Sequence, residues 1–375
     1  MSDRAECLSY QAPETIKRML FATWALLNSL EPAQRARAEF AMTDPARLDW
    51  DFIPKPDRTG IPMFALGRHQ RTVAHALLKA GLSMRGYSQA LSVMATENVL
   101  REREVLDRGF GVLAGDFRDP DAYYFSFFGR PGFEDTWGWR VLGHHLSLSY
   151  TIVGQRFLSV TPSNMGGQPV PAGVLNPLGG DEDAAFTLLR ALPAGLREQA
   201  IIHPVAPADF VTRQVPRVGA VELPDYEDLG IPTYRIKDED RAALRFVRAE
   251  PAGLRADQLT GGQWQILRGL LLSHTGRVCD ELAGQYQAQV DRSGPADVHF
   301  AWAGGLEPGT PHYYRIHTSR LLIETVNAID SGNHIHSVLR DFGNDLGHDL
   351  LRAHPDLAQQ PIPQLLNRLT STQPD

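Results

Sequence analysis

Along the first third of the chain apolar residues recur every three or four positions, and along much of the rest they alternate. From Pro13 to Leu30, Ile16, Met19, Leu20, Trp24 and Leu27 fall on one helical face, and Pro13 stands near the start, where its missing N–H is tolerated. A second short helix is predicted over Pro32 to Phe40. A Pro-rich connector follows, RLDWDFIPKPDRTGIP, with Trp50 and Phe52 expected against the core. Two helices, Ala65 to Lys79 and Tyr87 to Leu106, are joined around AGLSMRGYS. Glu97 lies on the second of them among Leu91, Met94, Val99 and Leu100; a carboxylate bordering such a face could be functional, but a solvated edge position is the expectation.

Near Tyr123 the period shortens. YYFSFFG (Tyr123 to Gly129) is strand-like, and WGWRVLGHHLSLSYTIVGQRFLSVTP (Trp137 to Pro162) reads as two or three strands with a Gly154-Gln155 turn. Asp181 to Leu192 is a predicted helix with acidic residues in its first turn, favourable to the helix dipole. His203 to Pro232 is Pro-rich and irregular. Thr260 can cap a helix through WQILRGLLLSH, and Val278 to Asp291 continues as another. Short strands VHFAWAG (Val298 to Gly304), HYYRIH, LLIETV and HIHSVL come next, the last two separated by an Asp-Ser-Gly-Asn turn. Asn344 to Ala353 and Pro363 to Leu369 are expected as closing helices.

Strict strand–helix alternation is missing, so a doubly wound parallel sheet is not expected. The pattern predicts an α+β fold: a mainly antiparallel sheet of middle and C-terminal strands, packed by N-terminal and central helices. The helical part runs over about 13–108, and the sheet-forming parts over about 123–162 and 298–339. Because those parts flank the middle helices, they are expected to pair in one sheet, within a single domain spanning 1–375.

Composition narrows the class. Among 375 residues, 37 Lys and Arg stand against 44 Asp and Glu, a formal charge of -7, with no basic block, so nucleic acid is not an expected partner. Two cysteines, Cys7 and Cys279, lack metal-ligand spacing and exclude a disulfide scaffold or a cysteine zinc site. The N-terminus has no apolar signal segment, and no stretch approaches the roughly 20 apolar residues of a spanning helix. A cytoplasmic protein without membrane partners is the expectation. GxGxxG after a strand, GxxxxGK[ST], HExxH and GxSxG are absent, and GFGVLAG (Gly109 to Gly115) is better read as a turn than as a phosphate cradle.

Candidate chemistry concentrates between Pro311 and Asp349, which holds His312, His317, His334, His336 and His348. On a strand His334 and His336 project to the same side, where two imidazoles can share a metal or flank a substrate. Arg340 follows at even spacing, next to Asp341, and Arg315 and His317 share a face of HYYRIH. Glu324 sits in an apolar run, where an unpartnered carboxylate costs several kcal/mol, so either a metal, an arginine or a histidine compensates it or that face is wet. In the earlier segment a regular strand would send His144 to the face of Leu146, Leu148 and Tyr150, and His145 to the polar face of Ser147, Ser149 and Thr151. Both could then be ligands only across a bulge, and His145 is the better candidate.

The runs WGWRVLGHHLSLSYTIVG, HFAWAGG, YYRIH, RLLIET, NHIHSVLRDFGNDLGHDLL and TGIPMFALGRHQRTVAHALLKAGLS resemble a bacterial and fungal family described as a domain of unknown function, number 3500. The resemblance runs from about residue 15 to about 355 and implies one domain, without implying an activity. Its GHHLSLN-like and NHIHSVWRD-like runs match His144, His145, His334, His336, Arg340 and Asp341. Ser149 and Leu339 depart from the expected Asn and Trp, and Thr325 with His317 from the usual aromatic and Gln.

Three functional readings follow. In the first, His145, His334 and His336, with His144 beside them, bind one divalent ion (Zn, Fe, Mn or Cu). Glu324 is then fourth ligand or general base, Arg340 holds an anionic or carbonyl group of a small-molecule substrate, Asp341 beside it is a further catalytic candidate, and the reaction is hydrolysis or O2-dependent oxidation. In the second, a metal-free enzyme uses His334 or His145 for proton transfer and Arg140 or Arg340 to anchor an anion. In the third, Trp137, Trp139 and Trp302 line the pocket of a non-catalytic binding protein.

Overall fold

The computed structural model describes residues 10–55, 57–108, 118–213, 215–221 and 237–354. Helices α1 (Pro13–Ser29), α2 (Pro32–Ala38), α3 (Arg68–Gly81) and α4 (Met84–Arg108) come first, with short strands β1 (Glu39–Phe40) and β2 (Ile61–Pro62) between them. Strands β3 (Tyr124–Gly129), β4 (Thr136–Gly143), β5 (Leu146–Val153), β6 (Phe157–Ser159) and β7 (Ser163–Gly167) form the middle block. The connecting region carries α5 (Gly179–Ala191), α6 (Ala194–Ala200), β8 (Ile201–His203), β9 (Ala220–Val221), α7 (Asp238–Leu244), β10 (Phe246–Val247), β11 (Leu254–Arg255), α8 (Gly261–Thr275) and α9 (Asp280–Ser293). Strands β12 (His299–Gly304), β13 (His312–His317), β14 (Leu321–Ile329) and β15 (His334–Asp341) follow, and α10 (His348–Ala353) is the last described helix.

Thirteen of the described strands join one mixed, mostly antiparallel sheet in the order β1-β3-β4-β5-β7-β15-β14-β13-β12-β11, with β2, β6 and β8 alongside. The α+β expectation therefore holds, and the two strand-rich parts of the chain do meet. Their junction is β7, which pairs with β5 on one side and β15 on the other. Directly opposed residues share a face, so Ser147, Asn164 and Val338 form one row across the junction, and Leu146, Met165 and Ser337 form another on the opposite face.

The two faces differ in chemistry. One carries Trp139, Leu148, Met165, Ile323, Tyr314 and Trp302 and packs in the main apolar core with residues of α1, α3, α4, α5, α8 and α9. The spacing of Ile16, Met19, Leu20 and Leu27 on α1 buries these residues as a stripe against that core. The other face carries Leu322, Val326 and Val338 under Trp50, Phe52, Phe210 and Val211, and its remaining positions are largely polar yet buried. Trp50 and Phe52 thus do sit on a core, the smaller of the two.

Two predicted elements differ. The second helix stops at Ala38, because Glu39 and Phe40 pair in parallel with Phe127 and Phe128 at the sheet edge. The expected helix from Asn344 is broken by Leu346 at φ 54° and starts as α10 only at His348. The expected helix at Pro363 to Leu369 and the GFGVLAG turn lie outside the described residues. No described helix is long and apolar enough to cross a membrane.

Candidate metal centre

His144 and His145 do not lie on a strand. They are the two loop residues of the β4–β5 hairpin, flanked by the pair Gly143 and Leu146. His145 takes the left-handed conformation, φ 63°, which non-glycine residues adopt at a cost on the order of 1 kcal/mol. Its backbone is fixed from both sides: its N–H donates to Phe52 O at 3.0 Å, and Gly166 N–H donates to its carbonyl at 2.7 Å. The alternation expected for a strand therefore fails here, and the turn brings both imidazoles together, ring centres 3.5 Å apart.

From across the sheet β15 adds two more. His334 and His336 project to one side, as expected, with ring centres 4.6 Å apart. His145 Nε2 and His334 Nε2 are 2.8 Å apart, and the His145 and His336 rings are 5.2 Å apart. One nitrogen from each of His144, His145 and His334 lies within 4.8 Å of the others. Gly166, on β7 between the two contributors, leaves this space open. A Cβ there would stand 2.8 Å from the His336 ring and 3.2 Å from that of His145.

Carboxylates orient two of the rings. Glu97 Oε1, from α4, is 2.6 Å from His144 Nδ1, and Asp209 Oδ1 is 3.0 Å from His336 Nδ1. Such a partner on one ring nitrogen fixes the ring, and in its ionised form leaves the other nitrogen's lone pair to face a ligand. Glu97 is 1% exposed, not at a solvated edge. Burial pushes its pKa up to about 8, against the pull of the Arg118 guanidinium. Arg118 makes a two-point bridge to Glu104 at 2.9 and 2.8 Å, and its Nη1 lies 2.9 Å from His144 Nδ1.

Burial holds His144, His145 and His334 well below the ordinary imidazole pKa, and repulsion adds to it: from the Arg118 guanidinium for His144, and between the protonated forms of the rings for His145 beside His144 and for His334 beside His336. At neutral pH the three rings are uncharged, the form that offers a lone pair to a metal. The buried Nδ1 of His145 has no hydrogen-bond partner and lies 3.9 Å from Glu97 Oε1.

The other candidates sit apart from the imidazoles in the hydrogen-bond network. Glu324 accepts from Val211 N–H at 2.9 Å, Thr212 N–H at 3.2 Å, the Thr212 hydroxyl, and Tyr313 OH at 2.9 Å. Its compensation is thus two amides and two hydroxyls, not the metal, arginine or histidine expected. Arg340 pairs with Asp345 at 2.6 Å and donates to Thr212 O and Val215 O, with Trp50 stacked 4.8 Å from its guanidinium. Asp341 accepts from Arg320 and from the amides of Gly343 and Asn344. Glu324 and Arg340 therefore both anchor the segment that presents Asp209 to His336. Arg315 and His317 lie under Phe246. Trp137, Trp139 and Trp302 pack in the main core.

Sequence reasoning missed Asp209 and Arg118, which no local pattern marks. Glu97 did carry a signal, its apolar neighbours on α4, read there as an edge.

Fold and site together define an α+β protein with a buried histidine cluster whose His144, His145 and His334 could hold a metal ion. The chain belongs to the family described as "Protein of unknown function (DUF3500)", whose model matches residues 12–348. No curated protein and no solved structure matches it significantly.

Proposed function

We propose that the protein is a metal-dependent enzyme acting on a small molecule at the imidazole cluster. The observation that carries this is the 2.8 Å approach of the His145 and His334 Nε2 atoms, beside a His144 ring fixed by Glu97. Two uncharged imidazoles at that distance share one proton at best. Ligand nitrogens around a tetrahedral zinc, with bonds of about 2.1 Å, stand roughly 3.4 Å apart, so a small opening of the pair would admit an ion. His144, His145 and His334 would hold it, and His336, oriented by Asp209, stands next to the same centre. The ion would polarise an oxygen or bind O2, according to its identity, and an all-nitrogen set suits Zn, Fe or Cu better than Mn. Glu97 and Asp209 keep their rings oriented while the surrounding apolar side chains exclude water.

A second reading is supported by the same carboxylate–imidazole pairs, Glu97 with His144 and Asp209 with His336, which suit metal-free proton transfer. Elemental analysis of the full chain separates the two. The expected result is about one transition-metal ion per chain after reconstitution, reduced severalfold in His145→Ala and His334→Ala. Less than about a tenth of an ion per chain in wild type would leave only the metal-free reading.

A further inference from the structure

Three arginines lie buried on the face of the sheet that carries His336, and they differ in what neutralises them. Arg340 is paired with Asp345. Arg315 stands opposite Glu324 in register without a direct ion pair to it and lies 5.7 and 5.9 Å from the Phe246 and Tyr313 ring centres. Its Nε and Nη2 have no partner, but among the described residues no row of unpartnered polar side chains leads from it to the imidazoles. Arg140, 1% exposed, makes no direct ion pair among the described residues, although the charges of Asp49 and Asp44 act on it from farther off. Its Nη1 donates to the carbonyls of Ala46 and Asp49, it packs 5.2 Å from the Phe128 ring, and its Nε and Nη2 have no partner. A buried guanidinium with no direct ion pair and two unpartnered nitrogens is a costly arrangement for a fold to hold.

The residues near it in register have unmet hydrogen bonds too. Ser149, directly opposite Arg140, has an unpartnered hydroxyl. In the next row, Ser147 and Asn164 oppose each other, both fully buried, and neither the hydroxyl nor either amide atom has a partner. One row further along the same face of β7 and β15 come Gly166 and His336, against His145. A polar track therefore runs from the Arg140 guanidinium to the imidazoles. Successive rows are about 7 Å apart.

We propose that this track binds a small organic acid, its carboxylate on Arg140 and Ser149 and an oxygen of its reacting end on Ser147 and Asn164 beside the imidazoles. The carboxylate supplies a direct ion pair, and a planar two-oxygen anion matches the unpartnered Nε and Nη2 of the guanidinium. Asn164 and the serines can donate and accept, which suits a hydroxyl or carbonyl. The inference takes from the metal reading only where the reacting end lies.

The test is calorimetric titration of the full chain, zinc-loaded and metal-free, with acetate, glycolate, lactate, succinate and adipate, each against its neutral amide. At least one acid is expected to bind saturably, and its amide not. Arg140→Gln should weaken that acid by roughly tenfold to a hundredfold, with Arg140→Lys between the two. Asn164→Leu, which stays apolar and close in size should Arg140→Gln not fold, should weaken it as well while zinc binding persists. Failure of every acid to bind below about 10 mM, or unchanged affinity in Arg140→Gln or Asn164→Leu, overturns the proposal and assigns those polar atoms to internal water. Acid binding that depends on Arg140 in a protein that takes up no zinc keeps this inference and removes the metal reading instead.

Discussion

His145 decides the site at the scale of one residue. A left-handed backbone between two strands turns its ring back onto His144, and the carbonyl and N–H of the same residue tie the turn to Gly166 and Phe52. Function and backbone strain thus fall on one position, so substitutions there should separate them. His145→Ala and His145→Gly are both expected to lose metal binding, but glycine tolerates the left-handed conformation. In the metal-free protein the Gly variant should be more stable than the Ala variant by about 1 kcal/mol, measured by urea denaturation. Equal stabilities would mean the turn relaxes. The alternation of His145 with Ser147 and Ser149 suggested a strand because a two-residue turn without Gly or Asn has no visible signature.

Between elements, the decisive contact is the one that holds the 209–215 region on β14 and β15. Glu324 and Arg340 drew attention in the sequence as a carboxylate in an apolar run and a cation in step with two histidines, and that reading of their faces was sound. What the sequence did not contain was their partners, Val211, Thr212 and Val215, more than a hundred residues earlier in the chain. Glu324→Gln replaces one acceptor oxygen by a donor facing the Thr212 N–H or the Tyr313 hydroxyl. It should destabilise the protein by about 2–3 kcal/mol and lower hydrogen-exchange protection of the Val211 and Thr212 amides. If Glu324 were instead a metal ligand, the metal would be lost with protection at those amides unchanged.

Over the whole molecule, burial of uncharged imidazoles sets the response to acid. His274, on α8, is held by Tyr314 and Ser337, and burial lowers its pKa to about 3. His144, His145 and His334 are lowered as well. In the unfolded chain each titrates near about 6.5. As pH falls below that, the unfolded state takes up protons that the folded state refuses, so stability declines. Each such group contributes a slope of about 1.4 kcal/mol per pH unit until its folded pKa is reached. Metal-free protein should therefore lose stability steadily between pH 6.5 and 4, and His274→Gln should remove about one group's slope, read from denaturation midpoints across that range. A bound metal would steepen the loss, since protons compete for its ligands.

The sequence by itself determined the helices at the front, the strands at 123–162 and 298–339, the shared side of His334 and His336, and family membership. Those follow from periodicity and residue identity, which are local. Only the tertiary structure decided that β7 joins the two strand blocks, that Glu97 turns inward to His144, and that Arg340 is paired while Arg140 is not. Each of these depends on which distant surface covers a residue, and a buried charge takes its role from the partner that removes it from water.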